Sequence, residues 1–373
     1  MGTTQNLTKD LALLRSMASI NSGTLNAHGV NAVGEIMADH LIPLGFRLRR
    51  YKDDKVGDLF YFSTPTKKSI PKLLISGHLD TVFELESGFL DVRGDQNYLY
   101  GPGVNDMKGG LVIALRALRQ ARRQEKLYNL GVLLSPDEEL GSPAHASRMR
   151  SLAKGYDFGL VLEGVGKKWE LCNERRGIAI LTLKTLGQAG HSGHWVQKRV
   201  NAIDVMAQLI TDIVSLADTA KGTTINTGLI KGGSKINIVA YQAEAQFDIR
   251  YSSATDFKRV CKKIQLLSQA CGAKYKIDAL FPPMATTEQT KSFMKIIEKA
   301  GKKIGRNVTF ESRGSASDGN WLSACGLGVI DGLGAKGYDH HTTKERMDKR
   351  SIVKQANLIT AIIQELRSIS WEK

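Results

Sequence analysis

The chain has 373 residues, 42% of them hydrophobic and 24% charged, a composition that fits a globular protein and a length too great for one ordinary core. Its net charge of +15 raises nucleic acid as a partner, but the basic residues lie in short groups (Arg47 to Lys52, Lys258 to Lys263, Lys302 to Arg306) with no accompanying nucleic-acid motif. Solvated helix faces account for most of them, so nucleic acid is not expected, and no apolar run is long enough for a membrane span. The N-terminus lacks a basic start followed by an apolar stretch, and the cysteines (Cys172, Cys261, Cys271, Cys325) are scattered without a C-x-x-C pair. Reduced thiols in a cytoplasmic protein are the expectation.

In chain order, helical periodicity comes first. Leu11, Leu13, Leu14 and Met17 mark one helix, and Val33, Ile36, Met37 and Leu41 a second after the Asn21-Ser-Gly turn. Phe46 to Tyr51 and Asp58 to Phe62 read as strands. Lys72 to Ile75 reads as a buried strand whose apolar run stops at His78-Leu79-Asp80. Alternate residues share a face, so His78 and Asp80 point the same way, and a metal-binding imidazole usually gives its second N–H to a carboxylate. Taken alone, the pair reads as readily as a turn-capping Asp and a core His.

Leu99 to Gly110 follows, with four glycines around Asp106, and then a helix carrying Leu111, Ala114, Leu115 and Leu118. Glycine allows close backbone approach, although Asp106 at this place equally suits a helix N-cap. Leu130 to Leu134 is a further apolar strand, followed by Ser135-Pro-Asp-Glu-Glu-Leu-Gly-Ser142. Adjacent Glu138 and Glu139 in a cleft repel unless a cation compensates. Phe158 to Glu163 again ends an apolar run in an acid, and Leu327 to Leu333 precedes Asp339-His-His-Thr-Thr-Lys-Glu345.

Between these units the pattern changes. Ile178 to Thr185 (strand), Asn201 to Leu216 (helix), Thr227 to Ile230 and Tyr241 to Tyr251 (strands), Phe257 to Gln269 (helix) and Lys274 to Ile277 (strand) have a ferredoxin-like order. The predicted fold is therefore α/β. A catalytic domain with a mostly parallel sheet, residues 1–175 and 282–373, carries an inserted ferredoxin-like α+β domain over 176–281, and the helix Ser292 to Ile304 resumes the first domain. Ligands of such sheets bind beyond the strand carboxyl ends, where His78, Asp80, Asp106, Glu138, Glu139, Glu163 and a C-terminal His all fall. Imidazoles and carboxylates without thiolate suit zinc, with manganese or cobalt as lesser alternatives.

These residues resemble a known family. His78-x-Asp80, the Gly101 to Gly110 loop, Asp137-Glu138-Glu139-x-Gly141-Ser142, Leu162-Glu163 and His341-Thr-x-x-Glu345 look like the signature of the dinuclear-zinc M20 peptidases, from about residue 70 to the C-terminus. The resemblance implies two Zn2+ per subunit bridged by Asp106, one adding Glu139 and His341, the other His78 and Glu163. The His340-His341 pair leaves the ligand ambiguous, and the Thr and Glu345 spacing favours His341. Asp80 would orient His78 and Glu138 would be general base and acid. The resemblance also implies a non-proline cis bond between Asn105 and Asp106.

From the inserted, lid and dimerisation domain, His191 of Gly190-His-Ser-Gly193 would stabilise the oxyanion across a homodimer. Asn237 and Arg250 would hold a substrate carboxylate, and Gly314 to Asn320 would line the same pocket. The plainer alternatives are a loop His191 packed on Trp195 and an Arg250 salt bridge beside Asp248. The stretch Trp195 to Val200 departs from the family pattern. Glu163 rather than Asp is more typical of carboxypeptidases and deacylases than of aminopeptidases. The implied activity is a carboxypeptidase releasing a C-terminal, glutamate-like amino acid, with an N-acyl-amino-acid deacylase as alternative. The substrate is a small peptide or N-acyl amino acid.

Overall fold

The computed structural model describes residues 2–194 and 199–371. The chain divides into two compact units. The first comprises Met1–Glu174, Thr286–Arg313 and Ser317–Lys373, and the second Arg175–Ala285 with Gly314–Ala316. No helix among the described residues is long and apolar enough to cross a membrane.

The first unit is built on a six-stranded sheet in the order Arg47–Tyr51, Leu59–Ser63, Leu130–Ser135, Leu73–His78, Phe158–Val161, Gly328–Ile330. The last four strands run parallel, and the first two add an antiparallel edge. The fold class is thus the mixed α/β expected from the sequence. Leu73–His78, Leu130–Ser135 and Phe158–Val161 are buried at every position, as strands covered on both faces must be. The strand at residue 73 runs on to His78 itself, which places the imidazole at the carboxyl edge of the sheet.

Three helices matter for the site: α1 (Gly2–Ala18), α2 (Ala27–Leu41) and α3 (Lys108–Gln124). The first half of α3 is buried all round. A Cβ on Gly110 would meet the Leu162 carbonyl at 2.4 Å, so glycine lets the first turn of α3 press against the chain leading to Glu163. The close approach foreseen for the glycine-rich loop is thus to the protein's own backbone.

Several elements lie outside those predicted from the sequence, the C-terminal helix among them although Ile352, Ala356, Ile359 and Ile363 recur at helical spacing. The C-terminal helix Arg350–Arg367 packs on α3, with Thr360 Oγ1 donating to the Ala117 carbonyl at 3.3 Å. Short strands Arg93–Gly94, Tyr98–Tyr100, Gly337–Tyr338 and Arg346–Asp348 form a small second sheet. Pairs and triplets of residues are too short to show a period.

In the second unit, Gly177–Leu186, Ala202–Val214, Thr224–Gly232, Gln242–Tyr251, Ala254–Ala270 and Lys274–Phe281 follow as strand, helix, strand, strand, helix, strand. The sheet is antiparallel, with Gln242–Tyr251 and Gly177–Leu186 at its centre. Strict alternation in Gln242–Tyr251 puts Ala243, Ala245, Phe247 and Ile249 into the core beneath the two helices. This is the ferredoxin-like order predicted from the sequence.

Candidate metal centre

The first unit brings His78, Asp80, Asp106, Glu138, Glu139, Glu163 and His341 to the carboxyl edge of its parallel strands. The geometry centres on Asp106, whose two oxygens face different imidazoles. His78 Nε2 lies 3.1 Å from Oδ1 and 3.6 Å from Glu163 Oε1, while His341 Nε2 lies 3.2 Å from Oδ2 and 3.4 Å from Glu139 Oε2. Potential ligand atoms of His78, Asp106 and Glu139, and those of His78, Glu138 and Glu163, lie within 4.8 Å of one another.

His340 is placed differently. Its Nδ1 is 3.9 Å from Asp106 Oδ2 and 2.8 Å from Asn105 Nδ2, so it is engaged by the neighbouring amide. Asp106 does not cap α3: the N-cap position is Met107, without a side-chain hydrogen bond.

Asp80 ties the cluster together. His78 Nδ1 lies 3.2 Å from Asp80 Oδ1, and the Glu138 and Glu139 amides donate to the same carboxylate at 3.3 and 3.1 Å. Thr24 Oγ1 donates to its Oδ2 at 2.7 Å from the far end of the sequence. One fully buried acid thus fixes an imidazole and the backbone of both glutamates.

The loop that carries Asp106 is held from Glu345. Its carboxylate accepts from the amides of Gly103 at 3.0 Å, Asn105 at 2.8 Å and Asp106 at 3.0 Å. Gly103 adopts φ +70°, the left-handed region that glycine enters without strain. The cis bond is between Asp106 and Met107, one peptide later than the resemblance implied. The bond expected to be cis instead joins Asn105 and Asp106, whose amides both point at Glu345 Oε1.

Beneath the loop, Lys108 is fully buried and donates to the Met17 and Ile20 carbonyls at 3.1 and 2.9 Å. Burial pushes its amine down to about 7, against the pull of Glu345 and Asp80. Asp318, also buried, accepts from Ser135 Oγ and, at 2.7 Å, from Ser142 Oγ. Sequence reasoning assigned no individual role to Thr24, Lys108 or Glu345, and it named Asp318 only within the Gly314 to Asn320 stretch expected to line the substrate pocket, whereas its carboxylate is tied to Ser135 and Ser142. Only Glu345 carried a signal, its spacing from His341.

Crowding like charges in a dry site shifts their protonation. Burial lifts Glu138 well above the usual carboxylate range, opposed by His78 and reinforced by Glu163, Asp318 and Glu139. Burial and then Asp106 push Glu139 up to about 8. Burial would raise Asp106 too, but hydrogen bonds with His341 and His78 hold it far below the usual range. The Asp106 contact is also the main cause that raises His341 to about 9. For His78 burial works downward, yet hydrogen bonds with Asp106 and Asp80 outweigh it.

The donor set fits a metal on one further observation. Glu139 Oε1 is sealed from solvent with no hydrogen-bond partner, an expensive state for a carboxylate oxygen that a cation would relieve.

The remaining sequence-predicted residues lie in the second unit. His191 bridges to Ile238, and its Nδ1 accepts from the Gly193 amide at 3.1 Å. Asn237 is exposed, and its carbonyl accepts from the Ser192 amide at 3.0 Å. Arg250 forms a two-pronged pair with Asp248, both bonds at 2.7 Å, and a third bond at 3.3 Å to the Gly314 carbonyl. Trp195 and the departing stretch through Lys198 lie outside the described residues.

Comparison with known proteins places the chain in context. Residues 74–365 match the model of peptidase family M20/M25/M40. Carboxypeptidase G2 of Pseudomonas sp. (strain RS-16) is 28% identical over 372 residues, covering 95% of this chain and 88% of that protein. Succinyl-diaminopimelate desuccinylase of Nautilia profundicola is 24% identical over 86% of this chain and 91% of that protein. Among solved structures, the aminopeptidase PepT of Bacillus cereus superposes with a TM-score of 0.82 at 20% identity, over 97% of this chain and 99% of that one.

Proposed function

The chain belongs to peptidase family M20/M25/M40, and from that premise we propose a two-metal amidohydrolase that cleaves an amide next to a free carboxylate. Within that class we assign a carboxypeptidase G2-like enzyme releasing a C-terminal, glutamate-like amino acid. The observation that carries the reading is the opposed use of the two Asp106 oxygens, each facing an imidazole backed by a further glutamate.

Asp106 would be shared between two ions, one also held by His78 and Glu163, the other by Glu139 and His341. Nitrogen and oxygen donors without thiolate favour zinc, with manganese or cobalt as alternatives. Such a pair supplies Lewis acidity toward the scissile carbonyl and a water acidic enough to attack at neutral pH.

The chain's own residues do the rest. Asp80 fixes the tautomer of His78 and the backbone of Glu138 and Glu139. Glu138, ionised when neighbouring cations offset the burial and acids that otherwise keep it protonated, would take a proton from the attacking water and return it to the leaving nitrogen. From the second unit, Asn237 and Arg250 would recognise the substrate carboxylate and His191 would stabilise the oxyanion across a homodimer. Leu186, Leu229, Ile230 and Ile236, all exposed in that unit, support a subunit interface there. A cytoplasmic setting is part of the same proposal.

An N-acyl-amino-acid deacylase is the second reading. The same machinery serves both leaving amines, and since Asp248 already fills the Arg250 fork, a substrate carboxylate in either reading would have to share Arg250 with it. Zinc-loaded protein is assayed on peptides ending in glutamate against N-acetyl and N-succinyl amino acids, beside elemental analysis of bound metal. Glutamate release at two metals per chain is expected, and Glu138→Gln should keep the metals but lose about 10²- to 10⁴-fold in turnover. Turnover of neither substrate set by metal-replete protein would sink the proposal.

A further inference from the structure

A second cluster of charge lies away from the metal centre, in a cavity of about 340 Å³ between α1, α2 and α3. Lys9 and Asp10 reach it from α1, His40 from the last turn of α2, and Arg116, Arg119 and Arg123 from one face of α3. The arginines lie 8, 11 and 15 residues beyond Lys108, which at about 1.5 Å per residue is roughly 12–22 Å along the helix from the end that bears the metal loop.

We infer that this cavity binds a small oligoanion, a phosphoryl or polycarboxylate group with at least two negative charges, held by Arg116, Arg119, Arg123 and Lys9. The volume falls at the small end of ligand sites. Four cationic side chains line it, and Asp10 is the one carboxylate among its lining residues. That carboxylate is shared, accepting from Arg116 Nη1 at 2.5 Å and from Arg119 Nη1 at 3.4 Å.

A single Arg116–Asp10 pair would suffice to pin α1 on α3. Placing Arg119 and Arg123 one turn apart on the same face adds repulsion that helix packing does not need. Arg116 is only 6% exposed, and its Nε is buried without a hydrogen-bond partner, so Asp10 leaves that guanidinium incompletely satisfied. Planar guanidinium forks at helical spacing match the oxygens of phosphate and carboxylate groups. His40 adds an imidazole whose pKa is lowered by burial and by Arg119, against the pull of Asp39, which leaves it able to donate one N–H without adding charge. The inference stands independently of the hydrolase reading.

The test is calorimetric titration of the metal-loaded protein at low salt with trimetaphosphate and, separately, tricarballylate, both multivalent anions. The parent should bind at least one of them, more weakly as salt rises, and the preferred anion identifies phosphoryl or polycarboxylate chemistry. Arg123→Glu, at an exposed position, and Arg119→Ala should each weaken binding by about tenfold or more with melting temperature unchanged. Absence of heat with both anions at about 10 mM, or equal affinity in parent and both variants, would overturn the assignment.

Discussion

Replacing Glu345 by alanine tests whether the loop bearing Asp106 must be held for the metal centre to form. The carboxylate is 1% exposed and is the acceptor for three amides, those of Gly103, Asn105 and Asp106. Each buried donor left without a partner costs about 1–3 kcal/mol, and hydrogen bonds to a charged acceptor lie at the upper end. The three costs do not add in full, because water can enter the space left by the side chain, so about 3–5 kcal/mol is the reasonable total. Part of it destabilises the fold and part frees the loop to leave its ligand-presenting conformation.

If about 1.4–2.7 kcal/mol falls on the loop, metal affinity drops 10- to 100-fold, the range found for residues that orient metal ligands. Competition with a chromophoric chelator measures the affinity, and thermal melting with and without zinc separates fold from site. Glu345→Gln should be intermediate, since its carbonyl can still accept from Asn105 and Asp106 while its NH2 opposes the Gly103 amide. A folded Glu345→Ala protein with parental zinc affinity would refute the reasoning.

The adjacent histidines give a paired experiment. His341→Ala should lose one of two metals and most turnover, whereas His340→Ala, whose ring is engaged by Asn105, should keep both metals; elemental analysis of the two variants decides. Protonation gives another. After chelator treatment, Glu139 keeps its proton from its ordinary 4.5 up to about 8 in the folded protein but not in the unfolded chain. Over that window the native state binds more protons, so the stability Glu139 contributes is fully present below 4.5 and is lost as pH rises through 8. His341, raised to about 9, and His78 act in the same direction. Since metal must displace these protons, zinc affinity should climb over the same window; a metal-free melting temperature that rises between pH 5 and 8 would contradict this.

The parts of the site visible in sequence were those at abrupt ends of apolar runs. His78-x-Asp80 and Glu163 stand out because a strand covered on both faces has no reason to end in charge unless charge is wanted at its edge. The supporting residues were illegible for a different reason. Thr24 reaches Asp80 across 56 positions and Lys108 reaches Ile20 across 88, and no periodicity encodes a contact made only when helices pack on a sheet. Arg250 shows the limit from the other side, because its salt bridge forms with Asp248 itself, two residues away, and not with the neighbours of Asp248 that the plain reading expected. The cis bond was placed one peptide early, since a motif gives residue types in order but not which peptide plane turns.

The buried Lys108 ammonium has a practical consequence for handling the protein. Its hydrogen-bond acceptors among the described residues are the carbonyls at the exit of α1, and it lies two residues from Asp106 in sequence. Trimming the chain back to residue 21 would therefore remove both acceptors and leave a buried, unpaired amine beneath the loop that carries Asp106. Proteolysis near the amino terminus should loosen the Asp106 loop together with the core that Leu14, Met17 and Ala18 help to fill.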